Sequence, residues 1–104
     1  MSTRNKDRYE YETTGESGAV WRTRSGYAVE THSRYQGTTT GERVHIPADL
    51  LARYKLDSAD LSAPDEDGRT DGERILDWLR GAQRLAAPAI TDRIRVLRRG
   101  SVVQ

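Results

Sequence analysis

The stretch Arg43-Val44-His45-Ile46-Pro47-Ala48-Asp49-Leu50-Leu51-Ala52-Arg53-Tyr54-Lys55 decides the fold, because its hydrophobic period changes in the middle. Up to Ile46, apolar Val44 and Ile46 alternate with Arg43 and His45, the pattern of a strand with one buried face. At Pro47 the pattern turns helical. Proline suits the first helical position, Asp49 falls in the first turn where the helix dipole favours an anion, and Arg53 and Lys55 fall in the last. Leu50, Leu51 and Tyr54 then share a face, which predicts a short helix over 47–55.

Outward from this junction toward the amino terminus, residues 8–46 read as β structure. Tyr9, Tyr11 and Thr13 alternate with Arg8, Glu10 and Glu12; Thr14-Gly15-Glu16-Ser17-Gly18 is turn chemistry; Ala19 to Thr23 resumes a strand. Ser25-Gly26 is a second turn, after which Tyr27, Val29 and Thr31 alternate with Ala28, Glu30 and His32. Loops this short imply antiparallel neighbours, and so a meander with one apolar face and one face of charge and threonine.

Toward the carboxyl terminus, residues 57–72 carry six acids, Pro64, Gly68 and Gly72, and read as an acidic loop. Thr70 with Glu73 three residues on forms a capping box that opens a helix over 72–86. Ile75, Trp78, Leu79, Ala82 and Leu85 make its apolar stripe, expected to meet Val20, Trp21, Val29, Val44 and Ile46. Residues 89–99 place Ile90, Ile94 and Leu97 at helical spacing before Gly100, which favours a second helix, although Ile94 and Val96 against Arg93 and Arg95 keep a strand open. The expected fold class is α+β: an amino-terminal antiparallel sheet of three to four strands packed against two or three carboxyl-terminal helices, in a single small domain spanning 1–104.

Composition bounds the function. The 104 residues include 17 Lys plus Arg, 16 Asp plus Glu, two His and no Cys, and mean hydropathy is −0.84. Without cysteine there is neither a disulfide framework nor a thiolate zinc site. The start, Met1-Ser2-Thr3-Arg4-Asn5-Lys6, lacks the apolar segment of a secretory leader, and no stretch is long enough to span a bilayer; a soluble, cytoplasmic protein is expected, with no membrane partner. Charge is segregated along the chain: +1 over residues 1–46, −5 over 47–77 and +5 after Asp77. The basic end, with Arg93, Arg95, Arg98 and Arg99, offers planar donor forks to phosphate or to an acidic protein surface.

Catalysis finds little footing. No serine sits in a Gly-x-Ser-x-Gly elbow, no glycine-rich phosphate loop occurs, and His32 and His45 lie on strands without a partner spacing that suggests acid–base work. The acidic loop fails as an EF-hand, because with Asp65, Asp67 and Gly68 at positions three, five and six, Ala63 and Arg74 fall on the first and last ligand positions. No enzyme activity, cofactor or metal is expected.

Residues 39–60, from Thr39-Thr40-Gly41-Glu42-Arg43-Val44-His45-Ile46-Pro47 through Leu50-Leu51-Ala52-Arg53 to Leu56-Asp57-Ser58-Ala59-Asp60, resemble the first half of the swapped-hairpin DNA-binding domain of the AbrB and MazE kind. The resemblance implies a dimer that contacts DNA through Arg43 and His45, with Arg53 as a further candidate. Together with the basic end, it leads to the expectation of a small non-enzymatic DNA-binding regulator of repressor or antitoxin type. Duplex DNA or an acidic protein surface is the expected partner, a homo-oligomer is expected, and Arg43, His45, Arg93, Arg95, Arg98 and Arg99 are the expected DNA contacts. The alternative is a protein-interaction module: a phage or plasmid accessory protein, an inhibitor of a host complex, or a virion assembly component.

Overall fold

The computed structural model describes residues 5–35 and 37–103, the side chains of Tyr35 and of residues 96–103 excepted. Four strands follow one another as a meander: β1 (Arg8–Glu12), β2 (Glu16–Arg22), β3 (Gly26–Tyr35) and β4 (Thr38–Pro47). Helix α1 (Ala48–Arg53) starts directly after Pro47, with Asp49 in its first turn and Arg53 in its last. Residues 57–70 form a loop, followed by α2 (Asp71–Leu85), the single turn α3 (Pro88–Thr91) and β5 (Arg95–Val103). The strand order is β1-β2-β3-β4-β5, antiparallel throughout. The fold is α+β, with helices on one face of the sheet.

The expected helix over 89–99 is corrected to one helical turn and a fifth strand. Pairing to β4 satisfies the backbone groups of an edge that would otherwise stay open, and Val96, Val102 and Val103 suit a strand. In the spacing of Ile90, Ile94 and Leu97 the first interval is a real helical turn, the Ile94 amide donating to the Ile90 carbonyl at 3.1 Å, and the second has another cause. Arg98 pairs with Arg43 while Val96 pairs with Val44, so the register shifts across Leu97. This bulge resets the period of two and imitates a helical interval.

The core lies between the inner sheet face and the helices. Val20, Tyr27, Val29, Val44 and Ile46 of the sheet meet Leu50, Leu51, Leu61, Ile75, Leu76, Leu79, Ala82 and Ile90. Two expected core members of α2 differ in depth. Trp78 is partly buried, packed against the edge of the core and against Tyr54, ring centroids 5.3 Å apart, whereas Leu85 is 75% exposed. The buried stripe runs through Ile75, Leu76, Leu79 and Ala82, and at 3.6 residues per turn Trp78 lies about 100° round from its centre, with Leu85 one heptad further along that flank. Trp21 is a further correction, because strand alternation puts it on the face opposite Val20.

The acidic loop is tied to the core side of the sheet. The buried Tyr27 hydroxyl donates to Asp57 and accepts from Arg22 Nη1 at 3.0 Å and from the Ser58 amide at 3.1 Å. Leu61 is fully buried, and its amide donates to the Lys6 carbonyl at 2.7 Å. The acids build the loop's turns: Asp60 Oδ1 accepts from the amides of Ser62 and Ala63, both at 3.1 Å, and Asp65 Oδ1 from those of Asp67 and Arg69, both at 2.9 Å. Those amides, then the Arg74 guanidinium, hold the Asp65 carboxyl below the usual carboxylate range. Thr70 caps α2, its hydroxyl accepting from the Glu73 amide at 3.1 Å. Glu73 itself turns to Arg69, Oε1 to Nε 3.0 Å, in place of the reciprocal half of the capping box. Gly72 lets the first turn of α2 lie on β1, since a Cβ there would stand 2.4 Å from Tyr9 Cβ.

Candidate nucleic-acid interface on the open sheet face

Among the described residues no helix covers the second face of the sheet, and side chains alternating with the core positions lie there. Arg8, Glu10 and Glu12 come from β1, Ala19 and Trp21 from β2, Ala28, Glu30, His32 and Arg34 from β3, and Arg43 and His45 from β4, with Arg95 of β5 in register with His45. Trp21 is the centre of this surface. The Arg8 guanidinium carbon stands 5.1 Å from the indole centroid and that of Arg43 5.3 Å, distances at which a cation is attracted to the ring quadrupole. Beneath the ring system Ala19 is 6% and Ala28 3% exposed, so the small residues form a floor that the large ones roof.

Carboxylates hold the cations in place. Arg8 Nε donates to Glu10 Oε1 at 2.5 Å. Glu30 Oε2 accepts from Arg43 Nε at 2.6 Å and Nη2 at 2.5 Å, while Oε1 contacts His32 Nε2 at 2.8 Å. Partial burial pushes the Glu30 carboxyl up, but the hydrogen bonds and charges of Arg43 and His32 outweigh it and hold it below its ordinary value. The His32 ring lies over Gly41, its Nδ1 2.9 Å from where a Cβ would stand, so glycine at that strand position makes room for the imidazole. Together Arg8, Trp21, Glu30, His32 and Arg43 line an open concavity of about 700 Å³.

The contacts expected from sequence divide. Arg43, His45 and Arg95 come together on this face, His45 Nε2 lying 3.1 Å from Ser25 Oγ and 3.4 Å from Thr23 Oγ1 of the β2–β3 turn. Arg93 turns aside to α1, where its Nη2 meets Asp49 Oδ2 at 2.8 Å and lowers the pKa of that carboxyl. Arg53 closes α1, away from the strands. Arg98 and Arg99 are placed by backbone register only, opposite Arg43 and Glu42, and their side chains lie outside the described residues. Sequence reading missed Arg8, Trp21 and Glu30 as members of one surface. The signal was present: each alternates with Tyr9, Val20 or Val29, and assigning Trp21 to the core by its size hid the rest.

Charge is divided between the two layers. The open face has Arg8, Arg34, Arg43 and Arg95 with two histidines against Glu10, Glu12 and Glu30, whereas the loop and α2 have Asp57, Asp60, Asp65, Glu66, Asp67, Asp71, Glu73 and Asp77 against Arg69, Arg74, Arg80 and Arg84. Among the described residues no group of His, Asp and Glu is arranged to hold a metal ion, and no helix is long and apolar enough to cross a membrane. Compared with models of known protein families, with curated proteins and with solved structures, the chain matches none.

Proposed function

We propose that this protein is a small non-enzymatic DNA-binding regulator, of repressor or antitoxin type, that meets the phosphate backbone with its open sheet face. The observation that carries the reading is the charge division: the uncovered face has four arginines and two histidines against three carboxylates, while the loop and α2 behind it have four arginines against eight. A polyanion is therefore steered to one side of the molecule. Arg43 and Arg95 stand on adjacent strands, and β5 brings the basic end of the chain beside the strand–proline–helix unit at β4 and α1. The protein acts in the cytoplasm as a homo-oligomer, for which the outer edges of β1 and β5, unpaired with any strand among the described residues, are available.

Fluorescence anisotropy of labelled DNA against salt tests this. Each phosphate neutralised contributes about −0.9 to the slope of log affinity against log salt on duplex, so four arginine contacts give roughly −3.6. No retention at low ionic strength overturns the reading. A second reading, a protein-interaction module, is favoured by two exposed apolar side chains: Tyr54, 44% exposed and in ring contact with Trp78, and Leu85, 75% exposed. Light scattering decides, because a defined assembly that ignores DNA supports the second reading.

A further inference from the structure

We infer that the open face takes single-stranded nucleic acid laid flat across the strands, with a base stacked at Trp21 and its neighbouring phosphates on Arg8 and Arg43. This rests on the nucleic-acid reading above and narrows it to one form of the ligand. The first ground is width. Strands spaced about 4.8 Å apart put the outermost two of this five-stranded sheet about 19 Å from each other. The major groove of duplex DNA is only about 12 Å wide. Trp21 and Arg43 stand on β2 and β4, interior to the sheet, so the centre of the face cannot reach base edges in a groove. A single strand, whose bases are free to turn, has no such restriction.

The second ground is the composition of the centre. An indole with two guanidinium carbons 5.1 and 5.3 Å from its centroid, over a floor of Ala19 and Ala28, brings an aromatic plane and two cations together at one point of the face. Aromatic platforms interleaved with cations are what unpaired strands require, since every base has a π-face and every linkage a charge. Glu10 and Glu30 keep both arginines extended across the ring, so little side-chain entropy is lost when phosphate takes over part of their hydrogen bonding.

The test uses the full chain carrying Trp78→Phe, which leaves Trp21 as the one tryptophan. It is titrated at about 50 mM salt with oligo-dT and oligo-U of roughly 16 nucleotides and with the matching dT·dA duplex. The expected result is quenching of Trp21 by a single strand, with affinity about tenfold or more above that for duplex; the dT and U arms separate DNA from RNA. Read by anisotropy of the labelled oligonucleotides, since the reporting indole is gone, Trp21→Ala weakens single-strand binding roughly ten- to a hundredfold, and Trp21→Phe restores most of it. Should Trp21→Ala fail to fold, Trp21→Leu keeps a cover over the alanine floor without an aromatic plane. Duplex affinity equal to that for single strand, or binding undiminished without the ring, overturns the inference and leaves the broader reading standing. No binding to any of the three probes overturns both.

Discussion

Tyr27→Phe tests how the acidic loop is fixed behind the sheet. The ring is 1% exposed and stays in place, so the change removes a hydroxyl without opening a cavity. That hydroxyl donates to Asp57, accepts from Arg22 Nη1 at 3.0 Å and accepts from the Ser58 amide at 3.1 Å. A hydrogen bond contributes about 0.5–1.5 kcal/mol net, and more when a charged group takes part, as Asp57 and Arg22 both do. Three bonds set an upper figure of about 4 kcal/mol, but Arg22 keeps its contact with the Ser58 carbonyl and Asp57 can reach water. About 2 kcal/mol is therefore expected, a sizeable share of the roughly 5–15 kcal/mol typical of a domain. With an m-value of about 1.5 kcal/mol/M, the urea midpoint falls by about 1.3 M at unchanged slope. Exchange of the Ser58 amide hydrogen should quicken by more than the global loss of stability explains. A midpoint shift below about 0.3 M would show that the hydroxyl does not hold the loop, and the account of the acidic segment as an ordered part of the helical layer would fail.

Three further outcomes are expected. Gly81→Ala, where a Cβ meets nothing within 4 Å, raises stability by about 0.5–1 kcal/mol through helix propensity, whereas Gly72→Ala lowers it, because the same gain is outweighed by a Cβ 2.4 Å from Tyr9; thermal melts of the two variants should move in opposite directions. Thr70→Ala removes the acceptor for the Glu73 amide and costs about 1 kcal/mol, read from urea unfolding. The Glu30 carboxyl has a folded pKa below its unfolded value, so its contribution is fully present above the unfolded pKa and is lost as pH falls through the folded one. Urea midpoints at neutral and at acid pH should accordingly lie closer together in Glu30→Gln than in the parent, and an equal spread in both proteins would refute the Arg43–Glu30–His32 arrangement.

The sheet and the α1 and α2 helices were legible because they follow from local rules. Tyr9, Val20, Val29 and Val44 keep a period of two, and Pro47 and Thr70 open helices by their own backbone and hydroxyl chemistry. What stayed hidden depended on partners distant in the chain. Leu97 looks helical until β4 is seen to offer an edge, and the Ile94–Leu97 interval is then a bulge. Leu61, the only large apolar residue of an acidic run, fills the core because Lys6 accepts its amide from the other end of the sequence. The candidate surface was divided in the same way: Arg43, His45 and Arg95 could be read from charge, but their junction with Arg8 and Trp21 exists only once four strands are laid side by side.

Solvation alone asks little of an uncovered antiparallel face; threonine, lysine and glutamate suffice. This face instead places its tryptophan at an interior strand, shields two alanines beneath the outer side chains, and sets two guanidinium groups against the ring, each held by its own carboxylate. Stability of the core is a weak reason for that arrangement, since Val20 and Val29 are already fully buried on the opposite side. Exposed ion pairs contribute about 0–1 kcal/mol apiece. What the carboxylates do supply is position: they prevent two long, rotamer-rich side chains from collapsing toward the acidic layer and keep their donors beside an aromatic plane. A surface whose cations are pre-ordered, and whose acids are mostly behind it, is suited to a ligand that presents negative charge and flat apolar rings together, which is the chemistry of an unpaired nucleic-acid strand.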